Sequence, residues 1–266
     1  MLKLGRTYEM IPDAIIFDWA GTMIDFGSIA PMQVFVDTFA EFDLSISVDQ
    51  ARAPMGMAKR DHIAAILGFP EVSEAFKSLH GRKHGESDVD ALYEVFVPRN
   101  ENVVADFATL VPGALQMLEW ANSHRIRIGS TTGYTRSIME RVTPIAAGQG
   151  YEPDCIICSD EVASGRPAPD AMHKCAELLG LSDPTKVIKV DDTVPGIGEG
   201  VSFSCVTVGV SLSGNYAGKP AQELAALSQD EITAIRECAT KALKEAGADH
   251  VIDTVADLPQ LLEALN

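Results

Sequence analysis

A short apolar run, Ala14-Ile-Ile-Phe17, ends in Asp18, and the same arrangement recurs along the chain. Similar runs lie at Ile126 to Gly129, Cys155 to Cys158, Lys186 to Val190 and Cys205 to Val210. Each has the length and composition of a strand buried on both faces. Amphipathic patterns alternate with them: 113–123, with Leu115, Leu118 and Trp120 or Ala121 on one side, then 135–147, 168–180 and 194–202. Strands alternating with helices predict an α/β fold with a Rossmann-like parallel sheet covered on both faces. Ligands of such sheets bind at the carboxyl ends of the strands. The polar residues at those ends are Asp18, Thr131-Thr132, Ser159-Asp160 and Asp191-Asp192, so they are expected to converge on one crevice. A lone Asp or Thr at such a place is ordinarily a turn residue or helix cap. Several strand ends together weaken that reading.

The spacing carries a second message. About 110 residues separate the first strand from the next clear one, whereas a crossover needs only about a dozen. Residues 27–108 read as mostly helical, for example in PMQVFVDTFAEF and AKRDHIAAILGF. The expected organisation is an α/β core of residues 1–26 and 109–266 with a helical cap, 27–108, inserted after the first strand. Its hinges are expected near Phe26-Gly27 and Leu110 to Gly113. Further on, Ser228-Gln-Asp-Glu231 is a capping box. It opens a helix with Ile232, Ile235, Ala239 and Leu243 on one face, stopped by Gly247. His250 to Ile252 is expected as an edge strand and 257–265 as a last helix.

Composition narrows the partners. The formal net charge of −17 and the lack of a basic stripe exclude a nucleic-acid partner. An anionic substrate would need local cations or a metal ion to overcome that field. No apolar run approaches the roughly 20 residues of a membrane helix, and MLKLGRTYEMIPD does not read as a secretory signal. No membrane partner and a cytoplasmic location are therefore expected. The five cysteines are an odd, scattered set, which argues against a disulfide framework. Cys155 and Cys158 form a C-x-x-C inside a strand-like run, with no second pair at zinc spacing.

Asp18-Trp-Ala-Gly-Thr22 resembles the first motif of the haloacid dehalogenase superfamily, whose Asp attacks phosphorus and forms an aspartyl-phosphate. The other motifs follow in order. Thr132, in IGSTTGYT, matches the hydroxyl residue that holds a phosphate oxygen, with Gly133 beside it. Arg166, in Gly165-Arg-Pro167, matches the basic third motif. Asp192, in KVDDT, matches the acidic residue that binds Mg²⁺. A bound Mg²⁺ relieves repulsion between carboxylates and a phosphoryl group, and a cation such as Arg166 stabilises the equatorial oxygens in the transition state.

Ala20 separates this chain from the phosphatases. They carry a second Asp two residues after the nucleophile to protonate the departing alcohol. The motif D-W-A-G-T resembles instead the phosphonoacetaldehyde hydrolase family, in which Ala stands there and its carbonyl ligates magnesium. In that family a cap lysine condenses with the substrate aldehyde, so that a protonated imine accepts the electrons of the breaking C–P bond. Pro54-Met-Gly-Met-Ala-Lys59-Arg-Asp-His62 matches the family's lysine segment. Alone, Lys59 would be an ordinary solvated lysine; beside Ala20 and the core motifs it becomes the expected amine. The resemblance implies that Asp18 and Lys59 are catalytic and that Asp18, Ala20 and Asp192 hold Mg²⁺. It implies further that Met55, Gly56 and Tyr134 line the pocket, that His62, one turn from Lys59, assists proton transfers, and that the chain is a homodimer through its cap.

The chain also departs from the family's pattern. Asp191 stands where many relatives have Gly, Gly196 where many carry a further acidic residue, and Ser28 where some have Cys. Asp191 or a water would then complete the metal's surroundings. Three readings follow: C–P hydrolysis of phosphonoacetaldehyde, a phosphatase acting on a small phosphate ester, and a non-catalytic binding protein. Ala20 and Lys59 speak against the second, and the intact Asp18, Arg166 and Asp192 against the third. A Schiff-base lysine must also titrate well below its usual 10.4; desolvation as the cap closes or a nearby cation would lower it, and the sequence alone does not assign which.

Overall fold

The computed structural model describes residues 11–265, so residues 1–10 and 266 of the expected core lie outside the described residues. The first strand, β1 (Ala14–Phe17), is buried along its whole length. Five helices precede the return to the sheet: α1 (Ala30–Glu41), α2 (Val48–Arg52), α3 (Lys59–Leu67), α4 (Pro70–His80) and α5 (Glu86–Val104). Then come α6 (Ala114–Ser123), β2 (Arg127–Thr131), α7 (Arg136–Gly148), β3 (Cys155–Ile157), α8 (Asp170–Leu178), β4 (Val187–Asp191) and α9 (Val194–Phe203). The chain ends with β5 (Val206–Val210), α10 (Ala221–Ala225), α11 (Gln229–Glu245), β6 (His250–Ile252) and α12 (Leu258–Ala264).

Among the described residues the strands form one parallel sheet in the order β3-β2-β1-β4-β5-β6. The order reverses beside β1, which pairs with both β2 and β4. That reversal opens a crevice at the carboxyl ends of these three strands. One sheet face packs an apolar cluster that includes Ile15, Phe17, Met117, Ile138 and Val190. Ala14, Ile16, Met172 and Cys175 pack on the other. This two-sided burial is why the strands read as continuous apolar runs rather than alternating ones.

Helices α1 to α5 have an apolar cluster of their own, built on Phe35, Phe39, Ile63, Ile66, Leu92 and Phe96. Local chemistry fixes their starts. The Asp25 carboxylate accepts from the backbone N–H groups of Ile29 and Ala30, both at 3.0 Å, at the entrance to α1. Ser47 and Gln50 form a capping box for α2. The two strands of chain that join the helical segment to the sheet run side by side: Ile24 bridges Leu110, and the Asp25 N–H donates to Thr109 O at 3.2 Å.

The structure changes two details of the sequence reading and agrees with a third. In α6 the buried residues are Ala114, Met117, Leu118 and Ala121, so Leu118 and Ala121 face inward as expected, while Leu115 is exposed and Ala114 and Met117 complete the face. Strands β2 and β4 extend to Thr131 and Asp191, which carries those polar side chains on the last residue of each strand. The C-x-x-C begins on β3, where the strand-like run placed it, and its two cysteines do not pair with each other. Cys155 and Cys158 are an odd number of residues apart and pack in different clusters, and the Cys155 Sγ lies 3.1 Å from that of Cys175.

Candidate active site

Strand ends set the polar half of the site. Asp18 follows β1, and its N–H donates to Val190 O at 3.0 Å, holding it beside β4. Arg166 is buried among the carboxylates. Its Nη1 lies 2.8 Å from Asp18 Oδ1 and 3.4 Å from Asp191 Oδ2, and its Nε lies 3.1 Å from Glu199 Oε2. Its Nη2 donates to Thr131 O at 2.7 Å. Burial opposes the Arg166 charge, but Glu199, Asp191 and Asp18 outweigh it and raise the pKa above the usual arginine range.

Asp18, Asp191 and Asp192 each present an oxygen within 4.8 Å of the others, a buried group able to hold a metal ion. Their chemistry fits a cation. Burial, and then the charge of Asp191, pushes Asp18 up to about 6. Burial, Asp18 and Asp191 push Asp192 well above the carboxylate range. Repulsion among these acids is what a divalent ion would relieve. Asp192 is aimed by Thr22 Oγ1, which donates to its Oδ1 at 3.2 Å, and by Asn215 N–H, which donates to its Oδ2 at 2.7 Å. Asp191 Oδ1 accepts from the N–H and hydroxyl of Thr193 at 3.0 and 2.7 Å. A Cβ on Gly196 would lie 2.0 Å from Asp191 Cγ. The Asp191 carboxylate therefore fills the space that a side chain at position 196 would need.

The other half of the site comes from the helical segment and is largely apolar. Lys59 opens α3 and is 3% exposed. Among the described residues no ion pair reaches its Nζ. The amine lies 4.0 Å from Met55 Sδ, 4.9 Å from the centre of the Tyr134 ring and 5.7 Å from that of Phe35. Burial lowers its pKa from 10.5 to about 8; Asp18 and Asp25 oppose this, and Arg166 adds to it. The cause that the sequence left unassigned is thus desolvation first. Arg60, next in the chain, points to solvent and pairs with Glu86 and Asp90.

Asp18, Ala20, Met55, Gly56, Lys59, Thr132, Gly133, Tyr134 and Arg166 line one narrow cavity, joined there by Ser28 and Thr193. Backbone approaches close it. A Cβ on Gly56, at φ +93°, would lie 2.2 Å from Thr193 Oγ1, and one on Gly133 would lie 2.7 Å from Met57 O. Asp192 stands just behind the cavity wall with the other acids. His62 is elsewhere. Its ring stacks on Phe35 with centres 4.0 Å apart, and its Nε2 lies 2.8 Å from Ala51 O. Burial, and then Lys59, lowers its pKa well below the usual histidine value, so His62 is neutral and packed in the helical cluster rather than on the cavity.

Sequence reasoning missed Lys189 and Glu199. Lys189 lies within β4, wholly buried, 3.2 Å from both Asp191 Oδ2 and Glu199 Oε2. It also donates to Thr131 Oγ1 at 2.7 Å. The signal was available: a lysine inside an otherwise apolar strand, VIKVD, must be buried with a partner. Glu199 gave none, because a Glu on a helix is ordinarily solvated.

Crevice, acids and cations define a class, and comparison with known proteins agrees with it. Residues 12–202 match the haloacid dehalogenase-like hydrolase family. The phosphonoacetaldehyde hydrolase of Paraburkholderia phytofirmans is 48% identical to the chain over 92% of each protein. That of Hahella chejuensis is 42% identical over 97% of this chain and 88% of its own length. The crystal structure of a phosphonoacetaldehyde hydrolase-like protein from Oleispira antarctica superposes with a TM-score of 0.94 at 38% identity, covering 100% of this chain and 96% of that one. The chain is a haloacid dehalogenase-like hydrolase. Within that class it belongs to the phosphonoacetaldehyde hydrolase family.

Proposed function

We propose that this enzyme hydrolyses the C–P bond of phosphonoacetaldehyde to acetaldehyde and phosphate, with Lys59 and Asp18 as its two covalent catalysts. One observation carries the reading: a buried, cation-destabilised amine and a buried carboxylate open onto the same cavity, beside an alanine where an ester-cleaving enzyme needs an acid. The neutral amine of Lys59 adds to the aldehyde and loses water to give an imine, which takes up a proton. A carboxylate oxygen of Asp18 then attacks phosphorus. The electrons of the C–P bond pass into the protonated imine and leave an enamine on Lys59. Protonation of the enamine carbon and addition of water release acetaldehyde and return the amine. Water then cleaves the aspartyl-phosphate and frees phosphate and Asp18.

Arg166, Thr132 and Gly133, which line that cavity, would hold the phosphonate oxygens. Mg²⁺ held by Asp18, the Ala20 carbonyl and Asp192, with Asp191 alongside, would offset the negative charge gathered there. The helical segment 27–108 acts in this reading as a cap on a core formed by 1–26 and 109–266. The cap brings Met55, Gly56 and Lys59 over the strand ends, and the neutral His62 supports α3 from behind. A homodimer through the cap and a cytoplasmic location complete the proposal. No described helix is long and apolar enough to cross a membrane.

Incubation with phosphonoacetaldehyde and borohydride tests the chemistry. The expected result is Mg²⁺-dependent release of acetaldehyde and phosphate, and an inactive enzyme carrying an alkylated Lys59 when borohydride is present. An unmodified Lys59 in an enzyme that stays active would remove the imine from the mechanism.

A further inference from the structure

Helical segment and core meet at places where backbone must come very close. A Cβ on Gly27 would lie 2.4 Å from Lys219 O, and one on Gly218 would lie 3.0 Å from Arg52 Cζ. Both glycines have positive φ, +92° and +59°, so the two stretches are shaped for this contact. One side chain joins them. Arg52, the last residue of α2, directs Nη1 at Gly27 O (3.0 Å), Ser28 O (3.2 Å), Asn215 O (3.1 Å) and Asn215 Oδ1 (3.1 Å). Its Nη2 donates to Gly218 O at 3.4 Å. Asn215 returns a bond, with Nδ2 donating to Arg52 O at 3.4 Å.

These partners belong to separate parts of the fold. Gly27 and Ser28 lie in the first connection between sheet and helical segment, and 215–218 form a loop of the core after β5. Asn215 also reaches the acids, because its N–H is the 2.7 Å donor to Asp192 Oδ2. An unbroken series of hydrogen bonds thus runs from α2 through Asn215 to Asp192. The guanidinium reaches the seam with two nitrogens, Nη1 toward Gly27, Ser28 and Asn215 and Nη2 toward Gly218, where the shorter-spanning ammonium of a lysine offers only one.

We infer that Arg52 is a positioning residue: it docks the helical segment on the core so that Lys59 faces Asp18, and through Asn215 it fixes the aim of Asp192 in the docked state. This rests on the reaction proposed above. Arg52 touches neither the cavity nor the reacting atoms, so its contribution is geometric. Misplacement of catalytic groups by about 1 Å costs on the order of 10²-fold in rate.

The test compares Arg52→Ala, Arg52→Lys, Asn215→Ala and the double variant Arg52→Ala/Asn215→Ala in the full chain. For Arg52→Ala, kcat/KM should fall by on the order of 10²-fold. Free guanidinium should restore part of that loss in a saturable way, and Arg52→Lys should not recover it. Chymotryptic cleavage after Phe26 should accelerate, since the connection is no longer pinned. The double variant should lose little more than Arg52→Ala, because both changes break the same unit. If the losses multiply independently, or if kcat/KM of Arg52→Ala stays within about twofold of the unmodified enzyme, the inference is wrong. Should Arg52→Ala fail to fold, Asn215→Ala decides: unchanged kinetics and unchanged cleavage after Phe26 overturn the inference. An unmodified enzyme that releases no acetaldehyde overturns the proposed reaction instead, while the cleavage comparison still decides whether Arg52 docks the segment.

Discussion

Among the described residues two lysines are buried, Lys59 and Lys189, and their surroundings are opposite in kind. Lys189, on the sheet, is enclosed by Asp191, Glu199 and the Thr131 hydroxyl. Lys59, on the helical segment, has a thioether and two aromatic rings. A buried lysine with carboxylates at salt-bridge distance on two sides is part of the framework. One placed against apolar groups resists its charge, and burial brings Lys59 down to about 8. Residue type is the same in both places, and the surroundings separate a lysine paired with carboxylates from one set against apolar groups. Arg52 extends the contrast, since it bonds to carbonyl groups across the boundary between the two regions.

The largest test of this contrast is kinetic. Asp18→Asn and Lys59→Met should each lower turnover by more than about 10⁴-fold, the scale seen when covalent catalytic groups are removed. Borohydride with substrate should still label Asp18→Asn, because imine formation does not need the nucleophile. Labelling that vanishes in Asp18→Asn but persists in Lys59→Met would reverse the assigned roles.

The same substitution at the other lysine should act on stability. Lys189→Met removes one of the two buried cations beside Asp191 and Glu199, leaving Arg166 alone against them, and should destabilise the fold by about 3–5 kcal/mol in urea unfolding. Lys59→Met should have the opposite sign. Its charge is disfavoured in the folded state, and the drop from 10.5 to about 8 corresponds to roughly 3 kcal/mol as an upper bound. The unfolded chain binds the extra proton between these two values, so the cost is fully present below pH 8 and fades as pH rises toward 10.5. Lys59→Met should therefore stabilise the protein at pH 7 and gain nothing above pH 10.5. If both variants destabilise equally, the contrast fails.

The kinetic pH profile sharpens the same point. If the neutral amine is the reactive form, kcat/KM should fall about tenfold per pH unit below an inflection near 8. An inflection near the ordinary lysine value would show that Lys59 is solvated when substrate binds. The smallest effect concerns the acidic side. Gly196→Ala would place a methyl group on the Asp191 carboxylate, and overpacking of this kind costs about 1–3 kcal/mol. Mg²⁺ titration followed by thermal unfolding should show weaker stabilisation by the ion in this variant.

Much of the fold was legible because its signals are local. The apolar run ending in Asp18, the gap of about 110 residues and the Ser228 capping box are properties of neighbouring residues. They indicated the parallel sheet, the order of its elements and the helical nature of the inserted stretch. On α6 only Leu115 departs from its expected place, because its type suggests burial whereas packing selects Ala114 and Met117 beside Leu118 and Ala121. The apolar pattern along β4 does not register Lys189, although a lysine among those positions requires a buried partner. Arg52 and Asn215 carry no motif, and only the docking of separate stretches makes them partners.

By itself the sequence determined which atoms are available: the carboxylate of Asp18, the missing acid at Ala20, the amine of Lys59 and the cation of Arg166. It also determined the alternation that brings strand ends to one edge of a sheet. Only the tertiary structure decided what these groups are electrically. It lowered Lys59 by burial against Phe35 and Tyr134, raised Asp18 beside Asp191, put the Asp191 carboxylate in the space over Gly196, and withdrew His62 from the cavity. The physical reason is that desolvation and charge–charge energies depend on everything within several ångströms, whichever part of the chain it comes from. A one-dimensional pattern holds the chemical groups, and the fold sets the medium in which they react.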